Sequence, residues 1–554
     1  MRTFPDLLRE RALGTPDKVA YRFFQGEHPP ATLSYLQLWE QVASMALLIE
    51  QRGLAGTRIL LLFKSQQHFA IAFLACLAAG ATAVPTAVPR RQHLAGRMQV
   101  LLADADVSAV LSDCKAAEVG TLVEQLPWLD LPAMLAPGGH AIRADAWRAP
   151  QLAGQALAFL QYTSGSTGDP KGVMVSHANL IHNGTAIAQG MALGADSIVF
   201  TALPLFHDMG LVGGLLQALY CGCEANFMAP AEFVQYPERW LKTMSALRAT
   251  TSGGPNIMFD LAARAIAPEQ LDGVDLSAWT VAFCGAEPIR PATMAAFRAK
   301  FAPWGFKPTA FFPCYGMAEA TLYLSGKAPL AMAQLDDSQG VNVVGCGVAA
   351  RATELAIVDP DTCRALPDGA VGEIWASGPG IATGYWRRPS LTEQVFHAEL
   401  AGDPSRRFLR TGDLGYLREG QLYVSGRRKD LIIVYGRKYA PQDIEASAEA
   451  AHPALARNGS AAFAVHDGQR ERVVMFAELG REWLRRQHEW EAIASAVRSA
   501  ISAEHAIKLD ELVWLKPGAL ARTSSGKVRR SACRVDYENG DIERLRAPQP
   551  ALAD

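Results

Sequence analysis

The chain has 554 residues, more than one ordinary domain holds, so two or three cooperating units are expected. Nearly half of the residues (49%) are hydrophobic and 19% are charged, a balance that suits large buried cores. The formal net charge of −2 offers no electrostatic case for nucleic acid or an anionic membrane surface.

The first twenty residues, "MRTFPDLLRERALGTPDKVA", carry charges where a secretory leader needs an apolar core. Ser34 is placed to cap a helix with apolar positions Leu36, Trp39, Val42, Ala46 and Ile49, ending at Gly53. "RILLLF" then reads as a buried strand. Phe69 to Val88 has twenty residues and no charge, long enough for a membrane span. It is rich in alanine, contains Gly80 and Pro85, and turns β-branched, so a buried helix ending near Gly80 and a buried strand are expected instead. "VSAVLSD", "ALAFLQYTS", "SIVFTALP" and "WTVAFCGAEP" continue an alternation of strands with helical segments, which points to an α/β architecture with mostly parallel sheets. The nine cysteines are scattered and form no CxxC pair. Cys221 and Cys223 are too close and isolated for a zinc site, so reduced thiols and a cytoplasmic location are expected.

"YTSGSTGDPKG", Tyr162 to Gly172, joins serine and threonine hydroxyls, glycines and one lysine. Freed backbone N–H groups, hydroxyls and a cation form a nest for phosphate oxygens. The strand before it and a helix from about His177 put it at the carboxyl end of a strand, where α/β sheets bind ligands. It is not a Walker A loop, because Pro170 precedes Lys171 and Gly172 follows it. Near "LYVSGRRKDLIIVYGRK" a strand meets a glycine, three cations and another strand, the best domain boundary in the chain. From Arg427 onward there are 21 basic and 18 acidic residues, so the excess changes sign there.

The phosphate loop resembles the signature of the adenylate-forming superfamily of acyl-CoA synthetases, peptide-synthetase adenylation domains and luciferases. Similar segments follow in order: "FHDMGL" (206–211), "CGAEP" (284–288), "YGMAEAT" (315–321), "RTGDLG" (410–415), "GRRKDLII" (426–433) and "RTSSGK" (522–527). "GATAVPTAVPRR", "PLFHDMGLVGGLL", "GGPNIMFDLAAR" and "KDLIIVYGRKYAPQDIE" are similar to one branch, the fatty acyl-AMP ligases. The resemblance implies an α/β fold: a large N-terminal domain of α/β sheet subdomains, residues 1–425, and a small mobile α+β C-terminal lid, residues 426–554. It implies activation of a fatty acid by ATP and Mg²⁺ to acyl-AMP. Transfer then goes to the phosphopantetheine thiol of a separate acyl carrier protein. A fatty acyl-CoA synthetase and a catalytically dead scaffold for a carrier protein are the other readings. The segment Ala328 to Val344, where the branch carries an insertion that disfavours CoA, is short here.

By the same resemblance, Thr163, Ser164, Gly165, Ser166, Thr167, Gly168 and Lys171 hold the phosphates, and Glu319 and Thr163 ligate Mg²⁺. Gly285, Ala286 and Glu287, with Cys314, Tyr315, Gly316, Met317 and Ala318, form the nucleotide-contacting segments, and Tyr315 stacks on adenine. Asp413 accepts the ribose hydroxyls and Arg427 reaches the ribose or phosphate. Lys527 bridges the carboxylate and α-phosphate oxygens, and Lys429 is the hinge of the lid. Ala521 stands where the family often has proline. The acyl pocket is expected from His207, Met209, Gly210, Leu211, Gly254, Pro255, Ile257, Met258, Phe283 and Met317. His207 fills the position that carries an aspartate in the peptide-synthetase pattern, so Asp208 is not expected to bind an amino acid. Arg437, Arg529, Arg530 and Arg534 are candidates to meet an acidic carrier protein. A monomer or weak dimer is expected, with no membrane span.

Overall fold

The structure is a computed structural model and describes residues 2–89, 93–119, 123, 125–135, 146–150, 152–164, 170–328, 333–337, 342–434, 437–466, 470–523 and 526–545. Ser34 caps the helix Tyr35–Gln51. Its hydroxyl accepts the Gln37 N–H, and the Gln37 side chain accepts the Ser34 N–H at 2.9 Å, a reciprocal capping box. Trp39, Val42, Ala46 and Ile49 are buried as their spacing predicts, whereas Leu36 stays 37% exposed. Tyr35 and Leu38, in the same first turn, are fully buried, so Leu36 lies on the side of the helix away from the core.

The uncharged stretch from Phe69 divides as its composition predicts. A helix, Gln66–Ala78, is buried at every position from Phe69 onward, and the strand Thr82–Thr86 follows. Among the described residues no helix is long and apolar enough to cross a membrane.

The chain divides into two compact units. One comprises Met1–Thr163, Asp169–Thr411 and Gly415–Val424; the other comprises Ser164–Gly168, Gly412–Leu414 and Ser425–Asp554. The first unit contains a nine-stranded and a six-stranded sheet. In the nine-stranded sheet the order is Val348–Ala349, Tyr323–Gly326, Phe311–Gly316, Val281–Cys284, Thr251–Gly254, Ile198–Thr201, Glu224–Met228, Val19–Gln25 and His28–Ser34. The six strands from Phe311–Gly316 to Val19–Gln25 run parallel, and antiparallel strands close both edges. The six-stranded sheet orders Trp128–Asp130, Ala109–Ser112, Arg58–Leu62, Thr82–Thr86, Leu157–Ser164 and Pro170–Ser176. The first five are parallel. The strand Pro170–Ser176 lies between the phosphate loop and the helix His177–Gly190, so the loop joins two strands rather than leading directly into that helix.

Under the parallel strands lies an aromatic core. Trp240, Phe259, Trp279, Phe297 and Phe311 are at most 2% exposed. The Phe259 and Phe297 rings meet edge to face at 5.1 Å, and the Trp240 and Trp279 rings at 5.3 Å. The second unit has its own core around the three-stranded sheet Leu455–His466, Glu471–Leu479 and Glu511–Leu515. The helices Pro441–Ala451 and Trp490–His505 supply Ile444, Ile493, Val497 and Ile501 to that core.

His177 begins the helix behind the phosphate-loop strands and is buried with no partner for Nδ1 among the described residues. Burial pushes its pKa down from 6.5 to about 4. The unfolded chain therefore takes up this proton first. His177 contributes stability fully above about pH 6.5, and the contribution is lost as the pH falls towards about 4, a loss of about 3 kcal/mol. Urea midpoints at neutral pH and at pH near 5 should differ less in His177→Asn than in the unsubstituted protein. In the aromatic core, Phe297→Ala should destabilise the first unit by about 3–5 kcal/mol, read as a lower urea midpoint.

Candidate active site

Three neighbouring parallel strands end on one edge of the nine-stranded sheet and set out most of the candidate residues of the first unit. Gly253 opposes Phe283, and Cys284 opposes Pro313 in register. A Cβ on Gly253 would lie 2.0 Å from the Phe283 carbonyl oxygen, and one on Gly285 would lie 2.7 Å from the Cys314 carbonyl oxygen. Glycine is required there by backbone proximity. Ala286 has φ 68°, a left-handed conformation that costs an L-residue energy and turns the chain sharply after the strand. Tyr315 is 9% exposed and lies on the last strand before the turn Ala318–Ala320, which carries Glu319. Glu287 has a task of its own: its carboxylate accepts the Ile257 N–H at 2.6 Å and caps the helix Asn256–Ala265.

The same edge builds an apolar wall. A Cβ on Gly254 would lie 2.7 Å from Met258 Sδ and 3.1 Å from Leu203 Cδ2. One on Gly210 would lie 2.3 Å from the Pro204 carbonyl oxygen and 3.3 Å from Leu203 Cβ. Leu211, Met258 and Phe283 are buried, and His207, Met209, Pro255, Ile257 and Met317 are half-buried. Leu203 thus belongs with the candidate pocket residues; in "SIVFTALP" it is indistinguishable from an ordinary strand-end core residue. Leu211 opens a π-helical segment, Leu211–Leu216, between the α-helical turns Asp208–Gly210 and Gln217–Cys221. Such widened turns are frequent at functional sites.

Residues 379–386 form a strap that ties two motifs together. Met174 N–H donates to the Gly384 carbonyl at 2.9 Å, Thr383 N–H to the Met174 carbonyl at 3.0 Å, and Trp386 N–H to the Gly172 carbonyl at 2.8 Å. Tyr385 bridges Val173 in antiparallel fashion. Ala382 N–H donates to the Glu319 carbonyl at 2.9 Å, and Thr321 Oγ1 donates to the Gly380 carbonyl at 2.8 Å. The Lys171 ammonium consequently stands 5.4 Å from the centre of the Tyr385 ring, while the Tyr385 hydroxyl donates to Glu319 Oε1 at 2.9 Å. Burial first, and the Glu319 charge second, hold the Tyr385 hydroxyl far above its ordinary pKa, so it stays a donor. Tyr385 was not among the residues expected from sequence; "TGYWRRP" offers only an aromatic after a glycine.

Thr163 and Ser164 end the strand Leu157–Ser164. Thr163 is half-buried. Gly165, Ser166, Thr167 and Gly168 lie outside the described residues. At the base of the loop, the Tyr162 hydroxyl donates to Asp104 Oδ2 at 2.7 Å, and Arg388 pairs with the other Asp104 oxygen at 3.1 Å.

In the second unit, Asp413 and Arg427 form an ion pair at 3.1 Å, with the carboxylate mostly buried and the guanidinium about half exposed. Lys429 lies in the single turn Arg428–Asp430. The loop of Lys527 is closed by its own backbone: Thr523 N–H donates to the Lys527 carbonyl at 2.8 Å, and Lys527 N–H donates to Thr523 Oγ1 at 3.0 Å. Arg522 clamps the loop from below, donating to the Gly526 carbonyl at 3.1 Å and the Asn458 carbonyl at 2.7 Å. Ala521 packs against the apolar cluster that includes Phe463, Leu520 and Cys533.

Arg530 corrects an expectation. It makes two hydrogen bonds of 2.6 Å to Glu445 and lies 3.5 Å from Asp430, with only 19% of its side chain exposed. A guanidinium so committed inside its own unit is not available to an acidic partner. Arg534 pairs with Glu538 one helical turn on, Arg529 is half-buried and Arg437 is exposed.

Among the described residues no group of three or more His, Cys, Asp or Glu side chains could hold a metal. Glu319 offers a half-buried hard carboxylate near a lysine. That donor set fits Mg²⁺, which takes one or two protein carboxylates and completes its shell with phosphate and water oxygens.

Known proteins match along nearly the whole chain. The pattern of the family described as AMP-binding enzyme matches residues 8–386, and that described as Disco-interacting protein 2-like, AMP domain, matches residues 429–546. A medium-chain-fatty-acid–[acyl-carrier-protein] ligase of Moorena producens is 37% identical over 98% of this chain and 96% of its own. A long-chain-fatty-acid–AMP ligase of Mycobacterium marinum is 34% identical over 98% of each. The crystal structure of a fatty acyl-adenylate ligase from L. pneumophila, in complex with acyl adenylate and pyrophosphate, is 35% identical with TM-score 0.75 and covers 98% of this chain and 97% of its own. A structure from studies of fatty acyl-adenylate ligases of E. coli and L. pneumophila aligns at TM-score 0.87 with 28% identity, covering 98% of each chain. The chain belongs to the AMP-binding enzymes, in their fatty acyl-AMP ligase branch.

Proposed function

We propose that this protein activates a fatty acid with ATP to acyl-AMP, releasing pyrophosphate, and passes the acyl group to the phosphopantetheine thiol of a separate acyl carrier protein. The observation that carries the reading is the meeting of Lys171 and Glu319 across Tyr385, beside strand ends cleared of side chains. A cation and a hard carboxylate in one short arc suit a magnesium-bound polyphosphate.

In the first half-reaction a carboxylate oxygen of the fatty acid attacks the α-phosphorus of ATP. The bond to the β-phosphate bridging oxygen breaks, and pyrophosphate leaves. Two anions must be brought together, so charge neutralisation and alignment dominate the barrier. Thr163, Ser164, Gly165, Ser166, Thr167, Gly168 and Lys171 hold the phosphates. Gly285, Ala286 and Tyr315 receive the adenine, and Asp413 orients the ribose, with Arg427 beside it. Lys527 places its ammonium on the carboxylate and α-phosphate oxygens as negative charge gathers there. Glu319 and Thr163 would hold the magnesium that accompanies ATP, whose charge would screen the phosphates. In the second half-reaction the thiolate sulfur attacks the acyl carbon and AMP leaves.

The functional division falls at 425/426, with Lys429 as the hinge of the C-terminal lid, residues 426–554. The name of the Moorena relative supports a carrier protein as acceptor, and that of the Mycobacterium marinum relative supports formation of acyl-AMP. A 34% identical relative of Mycobacterium tuberculosis carries a provisional fatty-acid–CoA ligase name, so CoA is the rival acceptor. The reading includes a cytoplasmic location and a monomer or weak dimer.

The direct test is mass spectrometry of the purified protein with ATP, Mg²⁺ and a panel of medium- and long-chain acids, with and without excess CoA. Acyl-AMP that persists in CoA and is consumed by a phosphopantetheinylated carrier protein is the expected outcome. Catalytic formation of acyl-CoA would replace this reading with the CoA synthetase. Lys527→Ala should lower ATP–pyrophosphate exchange by roughly 100-fold or more, with an unchanged melting temperature. Thr523→Ala removes the acceptor for the Lys527 N–H and should lower the same rate roughly tenfold while sparing the KM for ATP.

A further inference from the structure

The Tyr385 side chain touches both Lys171 and Glu319, residues separated by 148 positions in sequence. Its place follows from backbone pairing. The bridge to Val173 sets it two residues from Lys171, and the Ala382 N–H bond to the Glu319 carbonyl anchors the same strap to the other side. Asn179 fixes the strap from behind, donating to the Pro379 carbonyl at 2.9 Å and the Ile381 carbonyl at 2.8 Å. The Tyr385 N–H donates to Thr392 Oγ1 at 2.9 Å, and its ring meets Phe396 edge to face at 5.0 Å. The ring is 7% exposed and has little room to turn.

We propose that Tyr385 is a positioning residue that sets both groups at once: its hydroxyl aims the Glu319 carboxylate, and its ring face seats the Lys171 ammonium. The assignment rests on the functional reading above, in which Glu319 serves the magnesium and Lys171 the phosphates. Glu319 sits on a single short turn, Ala318–Ala320, followed by Thr321 at φ 66°, and a turn of three residues does little to fix a side chain. A donor at 2.9 Å on one carboxylate oxygen leaves the other oxygen a defined direction. Lysine carries a long flexible stem, and an aromatic face within about 6 Å confines its head group without removing its charge. Tyrosine is the side chain that supplies a flat ring and a terminal donor together. Phenylalanine keeps the ring and deletes the donor; leucine deletes both.

That difference makes the two functions separable in the full-length protein. Tyr385→Phe and Tyr385→Leu would be compared with Glu319→Gln and Lys171→Ala. Three measurements are needed: the Mg²⁺ dependence of ATP–pyrophosphate exchange, Mn²⁺ binding with ATP by electron paramagnetic resonance, and the melting-temperature shift caused by ATP without metal. Tyr385→Phe should raise half-saturating Mg²⁺ roughly 3- to 10-fold and weaken Mn²⁺ binding by a similar factor. Its metal-free ATP shift should equal that of the unsubstituted protein. Tyr385→Leu should show the same metal defect and also lose the ATP shift, as Lys171→Ala does. A general packing defect would instead lower stability and move the metal and ATP readouts together in both variants, and that pattern overturns the assignment. So does a Tyr385→Phe protein that matches the unsubstituted one in Mg²⁺ and Mn²⁺ while Glu319→Gln shows the loss. If Glu319→Gln itself leaves metal dependence unchanged, the functional reading of Glu319 fails, and the role of Tyr385 falls with it.

Discussion

The parallel pairing of Thr251–Gly254, Val281–Cys284 and Phe311–Gly316 is the constraint on which the first unit depends. At the ends of these strands the backbones come so close that Gly253 and Gly285 have no room for a side chain. Two neighbouring strand ends are thereby kept clear of side chains, while the aromatic core of Trp240, Phe259, Trp279 and Phe297 fills the space beneath. A parallel sheet buried on both faces concentrates its functional groups at strand ends. Here those ends present the nucleotide candidates and the apolar wall on adjacent strands.

The strap of residues 379–386 adds what the sheet alone cannot supply. Lys171 lies on a strand of the six-stranded sheet and Glu319 on a turn between two strands of the nine-stranded sheet, so neither sheet alone fixes their separation. Pairing the strap with Pro170–Ser176 on one side and the Glu319 turn on the other makes that separation a property of the backbone. A charge-assisted hydrogen bond contributes about 1.5–3 kcal/mol and a cation over an aromatic face about 0.5–2 kcal/mol. The two contacts of Tyr385 are therefore strong enough to restrict the Lys171 and Glu319 side chains.

The second unit solves a similar problem with different means. In the proposed reaction Lys527 meets developing charge, and its side chain has four rotatable bonds, so its backbone has to be held by something else. The reciprocal Thr523 and Lys527 bonds and the Arg522 clamp do this within a few residues. Arg530 then fastens the following helix to Glu445 and Asp430. The basic residues of this unit thus divide between internal struts and exposed charges, a distinction invisible to a count of cations.

Local chemistry was legible in the amino-acid sequence. The Ser34 cap, the division of the uncharged stretch near Gly80, the α/β alternation and the ordered motifs of the family all depend on near neighbours or on residue types at short spacing. Tertiary structure alone decided that Leu36 remains exposed, that Leu203 joins the apolar wall, that Glu287 caps a helix and that Arg530 is an internal strut. It also decided that Tyr385 stands between Lys171 and Glu319. All of these but the exposure of Leu36 depend on a contact between segments tens to hundreds of residues apart, and such contacts are set by strand register and close packing, which leave no periodic trace in the chain.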